Sequence, residues 1–219
     1  MDWVLPAGFE AAVMFGVLAM ALLFKPWLPL THRPLQSPWL ACVALLPFVW
    51  WTEHLLPNGM ALHVTGACLL VLMFGWPLAM WTLLPIAMGA SYIERPVWPD
   101  LDTLATHVVW MGMLPATLAL GLGLLIRRWL PHHLFVYILG RGFFTTAVSV
   151  TLSGALALAF GHKPDTLRGD EWMLAYWLLG WGEAVSTGML TAVFVAFLPE
   201  WLLTYSDGRY LPGASSKGK

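Results

Sequence analysis

Two stretches of this chain leave little choice of solvent. From Ala61 to Ile93 no Asp, Glu, Lys or Arg occurs, and from Leu134 to Gly161 the only one is Arg141. The rest is similar in kind: of 219 residues 59% are apolar and 11% charged, against about 45–50% and about 25% in soluble domains. Mean hydropathy is +0.72. Too few charges exist to cover a water-facing surface, so lipid surrounds most of the chain. The expected class is an all-α, polytopic membrane helical bundle. Collagen, disulfide scaffolds, disordered tails and free cytosolic enzymes are excluded. A net charge of −1 offers no basic stripe for nucleic acid.

Pro, Gly and charged residues divide the apolar stretches into spans at about 9–25, 38–56, 61–75, 77–93, 103–126, 134–160 and 172–198. As one helix, 61–93 would be about 50 Å long, too long for a core of about 30 Å. Gly75-Trp76-Pro77 favours a break, because Pro77 donates no N–H and suits a first helical turn. With seven spans and the N-terminus outside, Lys25, Arg33, Arg127, Arg128, Arg209, Lys217 and Lys219 face the cytoplasm, and only Arg95, Lys163 and Arg168 lie outside. Six spans would divide the same cations evenly. The positive-inside rule therefore selects seven, with a cytoplasmic C-terminus. Trp27, Trp50, Trp51, Trp98, Trp129, Trp172 and Trp201 stand at segment ends as an interfacial belt. Residues 1–204 form a single integral-membrane domain in this reading, and 205–219 a polar, frayed cytoplasmic tail. The N-terminal MDWVLPAGFE lacks the basic region of a signal peptide, and translation is expected to start on the mature chain. Cys42 and Cys68 fall in apolar runs and read as small hydrophobes.

Ionisable groups in lipid-spanning segments are costly and are functional candidates by default. They are Glu10, Glu53, His54, His63, His107, Arg141 and Glu183. His54 ends the second span, His63 opens the third and His107 lies about one turn into the fifth, so all three fall in the outer leaflet. Imidazole is the commonest metal ligand and suits nickel, cobalt, copper and zinc. Taken singly, each histidine could instead hydrogen-bond a carbonyl; three at one depth favour a metal, with Glu53 as a further ligand. His32, His132, His133 and His162 read as interfacial. Glu183 lies about 16 Å into its span, where a carboxylate must be protonated, paired or hydrogen-bonded. Flanking Gly180 and Gly182 would admit a close backbone. Arg141, between Gly140 and Gly142, can snorkel to the cytoplasmic interface in a structural role. Ala12 and Gly16 form a small-xxx-small face for packing a partner helix. Protease, hydrolase, thiol-redox and Walker motifs are missing from the sequence.

Several ordered motifs carry a likeness. Pro57-Asn58-Gly59-Met60-Ala61-Leu62-His63-Val64-Thr65-Gly66-Ala67 resembles the Gly-rich, His-containing loop of the CbiM/NikM family, the membrane substrate-capture subunits of energy-coupling-factor importers for cobalt and nickel. Leu72-Met73-Phe74-Gly75-Trp76-Pro77-Leu78-Ala79 is similar to that family's interhelical turn. Leu104–Met111 falls where the family has an Asn-bearing helix. Gly182-Glu183-Ala184 with Thr187, running on to Trp201, is similar to its C-terminal helix, and Leu5-Pro6-Ala7-Gly8-Phe9 to its N-terminal Ile-Pro-Asp-Gly-Phe. In the family the terminal amine and a second-residue His bind metal together with the loop His. His63 matches the loop His, whereas position 2 here is Asp and Val4 stands where the family His would fall; His54 and His107 occupy usual Asn positions. The resemblance implies a divergent relative whose metal site has moved to a three-His cluster. It would capture a divalent transition metal, nickel or cobalt, and act in the bacterial inner membrane with a transmembrane coupling subunit and ATP-binding ATPase subunits. The chain itself would not be an enzyme. The alternative is a membrane metallocofactor or redox protein, with haem held axially by two histidines or copper held by three in an assembly factor. A subunit without any ligand is the third reading.

Overall fold

The computed structural model describes residues 8–52, 64–131, 133–162, 167–206 and 210, and most of each apolar run there is helical. Among the described residues every regular element is a helix. In chain order they are α1 (Phe9–Leu23), α2 (Arg33–Trp51), α3 (Ala67–Phe74), α4 (Trp76–Glu94), α5 (Leu101–Trp129), α6 (Val136–Ala159) and α7 (Gly169–Phe197). By length and composition α5, α6 and α7 can cross a membrane, and α1 is a shorter apolar helix. Two helices are not α-helical throughout. Val108–Met113 of α5 and Val136–Phe144 of α6 are wound as π-helix, a form that recurs at functional sites.

α7 displays the inversion that lipid imposes. Leu174, Trp177, Leu178, Val185 and Met189 are exposed on one face, while Glu183, Thr187 and Thr191 are buried on the other. An apolar rim around polar and small residues is the reverse of a helix in water.

The expected span at 61–75 is not one continuous helix. Val64–Gly66 is non-helical and only the eight residues Ala67–Phe74 form α3. They reach about 12 Å, less than half of a bilayer core. All but Leu69 are buried. Gly75 ends this half-helix at φ 77°, a backbone conformation that favours glycine, and Pro77 follows in the first turn of α4.

Contacts fix the helix directions. Trp39 Nε1 donates to Thr82 Oγ1 at 2.9 Å, and Pro47 lies against Gly89, so α2 and α4 run parallel. α5 runs against α4, since Trp76 Nε1 donates to Thr117 Oγ1 at 3.0 Å and Leu83 meets Gly112. Arg141 beside Gly123, and Thr191 beside Gly142, make α6 antiparallel to both α5 and α7. One end of the bundle therefore carries Glu10 and His162; the other carries Trp76, Arg127 and Trp201.

The tail boundary is also corrected. After α7, Leu203 N–H and Thr204 Oγ1 donate to the carbonyls of Met73 and Leu72 at 2.9 and 2.8 Å. These bonds satisfy carbonyls that the end of α3 leaves free. Tyr205 and Tyr210 are then buried, each with its ring 5.0 Å from that of Tyr137. Packed structure thus extends beyond residue 204, because three tyrosine rings bury one another.

Candidate functional site

α3 starts deep in the bundle with its first N–H groups unpaired by its own helix, and the surrounding residues answer them. Thr65 donates its N–H to Glu183 Oε2 at 3.0 Å and its hydroxyl to Oε1 at 2.8 Å. Its Oγ1 also accepts from Ala67 N–H at 3.1 Å. From the other side Trp50 Nε1 donates to the Thr65 carbonyl at 2.9 Å. Every polar group of Thr65 is engaged, and Glu183 is fully buried. The positive end of the α3 dipole faces this carboxylate. Gly66 takes φ 67° at the turn, with Leu46 packed against it. Cys68 follows one residue into α3, its Sγ 3.9 Å from the carbonyl of Pro115. The clamp thus fastens a point two residues beyond His63.

Sequence reading placed Glu183 at mid-depth, but it gave Thr65 only as part of the loop motif and Trp50 only as an interfacial residue, whereas Trp50 is buried. No local pattern links them, since Thr65 and Glu183 are 118 positions apart. Of the two flanking glycines only Gly180 admits close backbone: an added Cβ would stand 2.8 Å from the Ala147 carbonyl. Nothing lies within 4 Å of one at Gly182, which corrects the expectation for that residue.

His107 ends the first α-helical part of α5, just before the π-helical segment, and is partly buried. It borders a cavity of about 390 Å³ with Ser91, Glu94, Arg95, Trp98, Asp100 and Thr103. Asp100 caps α5, and the Thr103 hydroxyl (2.7 Å) and N–H (3.1 Å) hold its carboxyl below the usual range. Asp100 thus holds its charge more readily than a free carboxyl, while Arg95 on the same rim is paired with Glu94. Glu53, His54 and His63 lie outside the described residues. Among the described residues no three His, Cys, Asp or Glu side chains come together to hold a metal.

Arg141 does not reach the interface as expected. It is 8% exposed, stacked at 5.4 Å over the Tyr137 ring, with Gly123 beside its guanidinium. The π-helical turn directs it into the bundle. Ala12 and Gly16 are exposed, and no atom lies within 4 Å of a Cβ at Gly16, so this face of α1 has no partner within the chain.

His162, expected as a plain interfacial residue, stacks on Trp110 at 5.1 Å with the planes 17° apart; its Nδ1 is 4.0 Å from Glu10 Oε1. Trp110 also borders, with Thr65 and Ser153, a void of about 10 Å³, so it stands between His162 and the clamp. Burial lowers the His162 pKa, and the Glu10 charge offsets this only in part. The imidazole is thus held neutral in the fold, while in the unfolded chain it takes a proton as pH falls through about 6.5. Stability should accordingly fall on acidification below that value and recover above it. Melting curves between pH 7.5 and 5.5 should show a shallower loss for His162→Gln than for wild type; parallel curves would refute the assignment.

The strongest chemical feature of the described residues is a buried carboxylate, both of whose oxygens accept from Thr65, that fixes the start of the half-helix α3. Comparison with protein-family models, with curated proteins and with solved structures gives no match.

Proposed function

We propose that this chain is the membrane capture subunit of an energy-coupling-factor-type importer for a divalent transition metal, nickel or cobalt. The observation that carries the reading is the Thr65 clamp. Non-helical backbone at membrane depth is tolerated only inside protein or beside a cavity, and broken helices near the midplane are where transporters bind their cargo. Here Glu183 and Trp50 immobilise Thr65, two positions along the chain from His63, the proposed ligand. His54, His107 and Glu53 complete the proposed site. The cavity beside His107 is bordered by Glu94, Arg95 and Asp100; with Arg95 paired to Glu94, Asp100 is the charge that would favour the approach of a cation.

The chain crosses the membrane seven times in this reading. Parallel α2 and α4 need a return between them, and the segment ending in α3 provides it. Cation asymmetry then sets the N-terminus outside and the C-terminus in the cytoplasm of a bacterial inner-membrane protein. The exposed Ala12 and Gly16 face of α1 serves the coupling subunit, and ATPase subunits supply the energy.

Titration of Ni²⁺ and Co²⁺ into the purified protein tests the reading. Ligands of one site act together, so His63→Ala should lower affinity steeply and a second substitution, His107→Ala, should add little. Stoichiometric binding retained in His63→Ala would remove the basis of the proposal. A Soret band in the purified protein would favour the haem alternative instead.

A further inference from the structure

Among the described residues Arg141 is a cation without an anion. Its guanidinium carries a positive charge, yet the residue is 8% exposed and its Nε is buried without a hydrogen-bond partner. Tyr137 faces it through the ring alone, because the Tyr137 hydroxyl is bonded to Thr204 Oγ1 at 2.8 Å. Among the described residues no carboxylate pairs with it; the ion pairs there join Arg95 to Glu94 and Arg168 to Asp170, and Glu10 lies beside the neutral His162. Gly123, itself buried, has no side chain to keep the guanidinium away and packs directly against it: an added Cβ would stand 3.3 Å from Nε and 3.6 Å from Nη2.

The surroundings add charge of the same sign. Arg127 is one helical turn beyond Gly123 on the same face of α5, with Arg128 next to it, both in the last turn and exposed. The flanks are apolar, with Leu124, Leu125, Phe135 and Leu139 exposed on α5 and at the start of α6. A cationic seam edged by lipid-facing leucines suits a ligand with an anionic head and hydrocarbon chains. Basic pockets between helices recognise lipid headgroups in this way, and guanidinium pairs with phosphate oxygens in a charge-assisted, bidentate geometry.

We infer that the seam between α5 and α6 at Gly123 binds the phosphate of an anionic phospholipid, with Arg141 as the principal ligand and Arg127 as the second. Apolar flanks favour a phospholipid over free phosphate, and no metal is involved.

The test uses the full chain in detergent, measuring lipid retention by native mass spectrometry and melting temperature with added phosphatidylglycerol, phosphatidylcholine or inorganic phosphate. Wild type should retain phosphatidylglycerol preferentially and be stabilised by it alone. Arg127→Gln should weaken that binding about fivefold, the contribution of one surface cation toward an anionic lipid. Arg141→Gln should weaken it by more than about tenfold, the loss of a charge-assisted bond. If Arg141→Gln fails to fold, the wild-type preference and the exposed Arg127→Gln still decide. Equal retention of the two lipids by wild type overturns the inference, as does a preference unchanged in Arg127→Gln. Stabilisation by inorganic phosphate equal to that by phosphatidylglycerol would assign a free-anion site and also overturn it. The same holds if Arg141→Gln releases a partner protein while leaving the lipid preference intact, which would assign a carboxylate of that partner.

Discussion

Glu183→Ala should lower the melting temperature of the detergent-solubilised protein by about 10 °C. The substitution strands two buried donors, the N–H and hydroxyl of Thr65, at about 1–3 kcal/mol each, and opens a hole where the side chain was. Water cannot easily replace the carboxylate, because Glu183 is fully buried. Glu183→Gln keeps one acceptor but turns an NH₂ group toward a donor, so its loss should be about half as large. Thr65→Ala removes the hydroxyl while keeping the backbone N–H. Combined with Glu183→Ala it should cost less than the two changes separately, since both break the same bonds. Metal titration of Glu183→Gln then separates architecture from capture: if the clamp supports His63, affinity falls even where the fold survives. A Glu183→Ala protein that melts within a degree of wild type would show that the clamp contributes nothing.

Gly154→Ala is the second large effect, and it concerns the packing of α6 on α7. A methyl group there would overlap the ring and Cβ of Tyr176. The ring has little freedom to withdraw: it lies 4.7 Å from Trp172, whose Nε1 donates to the Gly154 carbonyl at 2.9 Å. Overpacking of this kind costs about 3 kcal/mol or more, again on the order of 10 °C. Gly180→Ala should behave similarly, because it meets the Ala147 carbonyl at 2.8 Å and Thr151 Oγ1 at 2.7 Å. Gly182→Ala, two residues away, meets nothing within 4 Å and should stabilise α7 by about 0.5–1 kcal/mol through lower chain entropy in the unfolded state. Thermal melts of the three variants check the contrast, and equal behaviour of Gly180→Ala and Gly182→Ala would contradict the packing.

Those neighbouring glycines mark where sequence reading stops. Both flank Glu183, and in one dimension both looked like points of close approach. A helix turns by about 100° per residue, so only one of them faces α6. The same limitation hid Thr65 and His162. Glu183 announced itself as a buried carboxylate requiring a donor, but the donor comes from a half-helix far earlier in the chain. Glu10 and His162 meet because the first turn of α1 is packed beside the end of α6, a neighbour relation that no spacing records. Arg141 was visible as an intramembrane cation; its inward direction follows from the π-helical winding of Val136–Phe144.

By itself the sequence determined the solvent and the class of element. Runs without charge cannot face water, and backbone in lipid must bond within its own segment, so helices at the apolar runs and a break at Gly75 follow from composition and local chemistry. Only the tertiary structure decided that α3 is a half-helix, that Glu183 and Trp50 hold its start while Leu203 and Thr204 hold its end, and that Arg141 has no anion among the described residues. The physical reason is one of range. Hydropathy is a sum over neighbouring residues, whereas each of these pairings joins groups from different helices. A buried polar group takes whatever partner the packing of those helices brings within about 3 Å.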